Sequence, residues 1–260
     1  DTLADLGIDN TAFVDALESR GFDHYADAHS RHGWTQLTLL AMLSNKEIAD
    51  NPSSTEEKRA IRDQLALPLG FVAIQPPAGH VVISNATRID RGGMNDFEAE
   101  LLGDSALGLL MPDLGRALVT DGLRERIDEA LDLLAATDED YVFAHLLTPH
   151  PPFPDGPACW PACNIFTNAK EGQGLTTEEW AVGMQANLDY LNPRLLEAVD
   201  RMIVRHPDAN IVLFSDHGAR YSYDVPDEWH RSFLAARTPG QQGVFSRQPR
   251  PDALLRSLAH

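Results

Sequence analysis

Apolar residues fall along this chain in two rhythms. The first is a short, nearly unbroken run bounded by turn residues, the pattern of a strand covered on both faces by helices. Residues 71–75 (FVAIQ), 141–147 (YVFAHLL), 211–214 (IVLF) and 233–238 (FLAART) have this form. The second is helical spacing. It predicts helices over 10–20, with Asn10 as N-cap and Gly21 as stop, and over 35–43 (TQLTLLAML), entered through Gly33-Trp34. Further helices are expected from a Ser53-Ser54-Thr55 cap to Leu65, over 96–110, over 114–136 and over 177–205. Met111-Pro112-Asp113 separates two of these, and Pro193 predicts a kink or division in the last. Residues 23–33 are polar and His-rich, hence a loop. Strands alternating with helices predict an α/β fold, a three-layer αβα sandwich around a mostly parallel sheet.

Composition narrows the picture. At 260 residues the chain is long enough for one large domain with a sizeable core. It is 43% hydrophobic and 23% charged, as globular proteins are. A net charge of −18 argues against a nucleic-acid partner, which needs a basic face, and against attraction to an anionic membrane surface. No signal peptide and no apolar run of bilayer-spanning length is present, while the first residue is an Asp rather than Met.

Two strand ends carry candidate chemistry. The 211–214 run leads into Ser215-Asp216-His217-Gly218, at the carboxyl end where open α/β sheets place ligands. Asp oxygen and neutral His nitrogen suit a divalent metal such as Zn or Mn, although a solvated turn would look the same. The 141–147 run leads into Thr148-Pro149-His150-Pro151-Pro152-Phe153. Prolines on both sides stiffen that loop and fix His150, which suits binding an anion or donating a proton. His145, inside the predicted strand, reads as a hydrogen-bonded core histidine. Cys159 and Cys163 are the only cysteines. They would close a small disulfide loop in an oxidising compartment, and be free thiols or half a metal site in the cytosol.

Taken together, His145-Leu-Leu-Thr-Pro-His-Pro-Pro-Phe153, residues 188–200 (LDYLNPRLLEAVD), Phe214-Ser-Asp-His-Gly218 and Leu234-Ala-Ala-Arg-Thr-Pro-Gly240 resemble sulfatase-like proteins of the alkaline phosphatase superfamily. The order is most similar to bacterial membrane-anchored phosphoglycerol transferases related to lipoteichoic acid synthase. The resemblance implies an alkaline phosphatase-like fold and a single catalytic domain over 1–260, short of its first strand and of membrane segments lying outside it. It implies a threonine nucleophile that also ligates metal, matched here by Thr35, with Thr38 one turn later as the fallback. Taken alone, Thr35 reads as an N-cap. Asp216 and His217 would be the other ligands of one divalent ion (Mn, Zn, Mg or Ca), and His150 would bind or protonate phosphoryl oxygens. A further acidic ligand, on the family's first strand, has no counterpart in this sequence. His80 and Arg88 are candidate contacts for an anionic headgroup. The implied substrate is a phospholipid headgroup or envelope polymer at the extracellular face of the bacterial plasma membrane or in the periplasm. That location favours a Cys159–Cys163 disulfide. Two alternatives stand beside this reading. A sulfatase would need a Cys-x-Pro-x-Arg frame, which Cys159-Trp-Pro-Ala-Cys163 departs from at its last residue. A non-catalytic binding domain with a decayed site is the other.

Overall fold

The computed structural model describes residues 2–44, 71–75, 86–88, 110–153, 174–245 and 249–253, apart from 111, 152, 220 and 223. Its helices are α1 (Thr2–Asp5), α2 (Thr11–Glu18), α3 (Thr35–Ser44), α4 (Pro112–Ala136) and α5 (Thr177–Arg205). Its strands are β1 (Asp23–His24), β2 (Phe71–Gln75), β3 (Ala86–Arg88), β4 (Tyr141–Ala144), β5 (Ile211–Phe214) and β6 (Leu234–Arg237). The expected helices at 53–65 and 96–110 lie largely outside the described residues, as do His80, Cys159 and Cys163. Arg88 ends β3, beside Gln75 of β2.

Helix α3 is apolar on every side and sits in the interior. Leu39, Leu40, Ala41 and Met42 are buried, and this cluster closes against Leu234 and Ala236 of β6 and against Phe245. Burying each such leucine stabilises the fold by roughly 1.5–3 kcal/mol. The alternate residue of β6, Ala235, faces the other way with Ile211, into a second cluster built from α2, α4 and α5. The β5–β6 sheet is therefore covered by helices on both faces, as alternation in LAAR requires.

The long helix α5 starts where its sequence says it should. Thr176 accepts from the Glu179 amide at 3.2 Å, and Glu179 accepts from the Thr176 amide at 2.8 Å, a complete capping box. It runs as one helix through Pro193, so of the expected kink or division the division does not occur. Buried Leu191 before the proline, and Ala198, Val199 and Met202 after it, anchor both halves to the same core. Likewise α4 begins at Pro112 itself, a first-turn position where the missing N–H costs nothing. Asn10 precedes α2 but its side chain does not cap; instead its Oδ1 accepts from Asn192 of α5 at 2.8 Å.

The described strands form two three-stranded sheets rather than one mostly parallel sheet. Order β3-β2-β4 is parallel throughout. Order β1-β6-β5 is antiparallel, with Val212 opposite Ala236. Among the described residues between β5 and β6 there is a 3₁₀ turn, Pro226–His230, and no crossover helix. A parallel pair needs that crossover, so β6 must return antiparallel. Two expectations about burial also fail. In β5 only Ile211 is buried, and the strand at 141 stops at Ala144, so His145 lies outside it. Among the described residues, β4 and β5 each pair along one edge only, and the whole of both strands lines a cleft of about 1880 Å³.

Candidate active site

The carboxyl ends of β4 and β5 and the first turn of α3 meet in that cleft, which Thr35, His145, His150, Asp216 and His217 all line. Past β5 the ladder with β6 is prolonged by two bonds: Ser215 N–H to Phe233 O at 2.9 Å, and Phe233 N–H to Ser215 Oγ at 2.8 Å. The chain then turns at Gly218, whose N–H donates to Trp229 O at 2.9 Å. This turn throws the Asp216 and His217 side chains toward α3.

The geometry makes one ring nitrogen of His217 a donor. Nδ1 of His217 lies 2.7 Å from the Gly218 carbonyl oxygen, which can only accept, so Nδ1 carries the proton. The other ring nitrogen, Nε2, lies 3.1 Å from the Thr35 hydroxyl, within hydrogen-bond distance. Asp216 Oδ2 is buried, has no hydrogen-bond partner among the described residues, and stands 3.5 Å from His217 Nε2. Burial opposes charge on this carboxyl, but His217, the Thr35 hydroxyl and His145 outweigh it and hold the group below the ordinary carboxylate range. A buried carboxylate oxygen with nothing to accept from is what a cation ligand looks like in a ligand-free chain.

The three groups Thr35, Asp216 and His217 thus offer two oxygens and one nitrogen, a donor set that fits a hard or borderline divalent ion. They do not make a closed structural site. Among the described residues no cluster of three or more His, Cys, Asp or Glu is arranged to hold a metal.

Helix α5 sets the opposite wall. The Asn187 amide donates to the carbonyls of Pro149 at 3.3 Å and His150 at 3.2 Å. Phe153 stands edge-on to buried Trp180 at 5.1 Å, over Gly183, where any Cβ would meet its ring at 2.4 Å. The His150 ring hydrogen-bonds through Nδ1 to Pro151 O. His145, read as a core residue, instead leaves the sheet and reaches the Asp216 side of the cleft, close enough to lower its pKa. Thr38 is sealed at 0% exposure, its hydroxyl bonded to Ser30 Oγ at 3.0 Å and to His32 O at 3.2 Å, so the fallback nucleophile is inaccessible. Asn187 and the His145 position escaped the sequence; Asn187 lies one residue before the 188–200 match and carries no motif of its own.

No protein-family model and no curated protein matches the chain. Solved structures do. The integral membrane protein lipooligosaccharide phosphoethanolamine transferase A (EptA) from Neisseria meningitidis aligns over 95% of this chain with a TM-score of 0.51 and 15% identity. The chain has an alkaline phosphatase-like fold. It spans 49% of the EptA chain. The 2-O GAG sulfatase BT1596 also aligns, over 95% of this chain and 64% of its own, at TM-score 0.46 and 14% identity. So does Ps i-CgsB, over 92% and 62%, at 0.45 and 11%. The resemblance drawn from the sequence is borne out at the level of the fold. Among the described residues no helix is long and apolar enough to cross a membrane.

Proposed function

We propose that this chain carries the catalytic site of a metal-dependent enzyme that transfers or hydrolyses a phosphoryl-linked group, with Thr35 as nucleophile. The observation that carries the reading is the Thr35 hydroxyl, at the N-terminus of α3, 3.1 Å from His217 Nε2 and beside the buried Asp216 carboxylate. Thr35, Asp216 and His217 would hold one divalent ion, Mn, Zn, Mg or Ca. When bound, that ion supplies the positive charge that turns the threonine hydroxyl into a nucleophile near neutral pH.

The remaining work falls to the chain. Thr35 Oγ gives up its proton to solvent water and forms a bond to phosphorus as the bond to the leaving oxygen breaks, giving a phosphothreonine. His150, held at the far wall by Asn187, donates a proton to the departing oxygen. The dipole of α3 favours the phosphoryl oxygens at its N-terminus. An acceptor alcohol or water then attacks the phosphothreonine and regenerates the hydroxyl. The substrate we assign is an anionic lipid headgroup or envelope glycan on the outer side of the membrane, with membrane attachment outside this chain. EptA, described as an integral membrane phosphoethanolamine transferase, supports that assignment by its fold.

The test is hydrolysis of a chromogenic phosphodiester in the presence of Mn or Zn, by the protein and by Thr35→Ala. Loss on the order of a thousandfold or more in kcat is expected. Equal rates would remove Thr35 from the chemistry.

A further inference from the structure

The loop that delivers Thr35 is held from two directions. On one side, Ser30 N–H donates to His230 O at 2.7 Å, and His230 Nδ1–H donates to Ser30 O at 3.1 Å. On the other side lies a segment more than two hundred residues away, the 3₁₀ turn Pro251–Ala253, packed against α3. His29 N–H donates to Pro249 O at 3.0 Å, and Arg31 N–H donates to Asp252 Oδ1 at 3.1 Å. We propose that Asp252 is a positioning residue for Thr35, clamping the 29–34 loop so that the threonine hydroxyl stays in line with His217 and Asp216. The inference rests on Thr35 being the nucleophile.

The side chain is built for a clamp rather than for solvent. It is 1% exposed, and its two oxygens are both engaged: Arg250 Nε donates to Oδ1 at 3.2 Å and a terminal guanidinium nitrogen donates to Oδ2. Burial works against its charge. The Arg250 guanidinium, the Arg31 amide and nearby His32 outweigh that burial and hold the carboxyl below its ordinary range. His32, three residues before Thr35, is itself 2% exposed, so the anion lies beneath the loop and not at its rim. Further along, Thr38 Oγ1 donates to His32 O, so between the Arg31 amide and the first turn of α3 the chain has little slack. Little slack matters, because misplacing a reacting group by about 1 Å costs on the order of a hundredfold in rate. An ordinary packing residue at 252 would not need charge. The clamp does, because an Asn amide would keep one acceptor for Arg31 and turn its NH₂ toward Arg250.

Asp252→Asn, Thr35→Ala and the parent protein are compared in two experiments. In hydrogen exchange, amides in 29–38 of Asp252→Asn should exchange faster by about tenfold, with those of α5 unchanged. In Mn- or Zn-dependent phosphodiester hydrolysis, kcat of Asp252→Asn should fall about tenfold to a hundredfold while KM stays within about threefold. Unchanged exchange in the loop overturns the clamp, and so does an unchanged kcat. A fall in stability with no split between kcat and KM overturns it too, since that is the signature of packing alone. Thr35→Ala separates the two readings: if it keeps parental activity the nucleophile assignment fails, and exchange alone decides whether Asp252 holds the loop. Should Asp252→Asn not fold, Arg250→Gln removes the ion pair at a part-exposed position and is held to the same two readouts.

Discussion

A Cβ at Gly218 would stand 1.8 Å from the carbonyl oxygen of Glu228 and 2.7 Å from that of Arg231. Both are backbone atoms and neither can swing away. The glycine is required here for closeness, since the turn after Asp216-His217 must press directly onto the 3₁₀ turn that follows. Gly218→Ala should therefore push the His217 imidazole off the Thr35 hydroxyl and lower stability by about 1–3 kcal/mol or more. Urea denaturation reads the stability, and the rise in melting temperature on adding Zn or Mn reads the site, which should lose that rise. A variant with parental stability and a parental response to metal would show that the turn has room. Residues of this kind separate what a sequence reveals from what it hides. Asp216, His217, Thr35 and His150 stood out in the sequence because their types and order carry chemistry, and all four line one cleft. His145 was misread because the strand was taken three residues too long. Gly218's steric role, Asn187's hold on His150 and Asp252's hold on Arg31 all depend on backbone atoms brought near by the fold, and no local pattern announces such atoms.

At the scale of elements, helices were more legible than sheet direction. The period of α4 and α5 and the capping box of Thr176 and Glu179 are local, and both helices appear close to where the pattern puts them. The antiparallel return of β6 was hidden behind a general expectation of alternating strands and helices. The sign that mattered was the lack of a helical pattern between 215 and 233. How α4 and the loop after it meet α5 is also non-local: Asp128 pairs with Arg194 at 3.0 Å, Asp132 with Arg201 at 2.5 Å and, past the end of α4, Asp138 with Arg205 at 2.6 Å. All three pairs are exposed, and the Asp128–Arg194 and Asp132–Arg201 pairs each contribute at most about 1 kcal/mol. Arg194 differs from the others because its guanidinium also lies 3.6 Å over the Tyr190 ring, whose hydroxyl donates to Asp128 at 3.0 Å. Arg194→Ala should thus cost about 1–2 kcal/mol, combining ion pair and cation–π, against about 0.5 kcal/mol for Arg201→Ala. Equal urea midpoints for the two variants would mean that the ring adds nothing.

For the whole molecule, the two electrostatic effects oppose each other. Ion pairs at contact, including the bidentate Arg20–Asp200 pair at 2.7 and 2.8 Å, favour the folded state. An excess of 18 negative charges favours the unfolded one. Monovalent salt weakens both, but not equally. The Debye length falls from about 30 Å at 0.01 M to about 8 Å at 0.15 M, which removes repulsion between charges tens of ångströms apart and leaves contacts near 3 Å largely intact. The distant term therefore loses more. Raising NaCl from about 10 to about 150 mM should stabilise the protein, by roughly 1–2 kcal/mol or 2–4 °C in melting temperature for a chain of this size. Thermal melts in buffers free of divalent ions check the sign. A fall in melting temperature would mean that the arginine–aspartate ladder outweighs the net charge, and then Arg20→Ala and Arg205→Ala should each flatten the salt response.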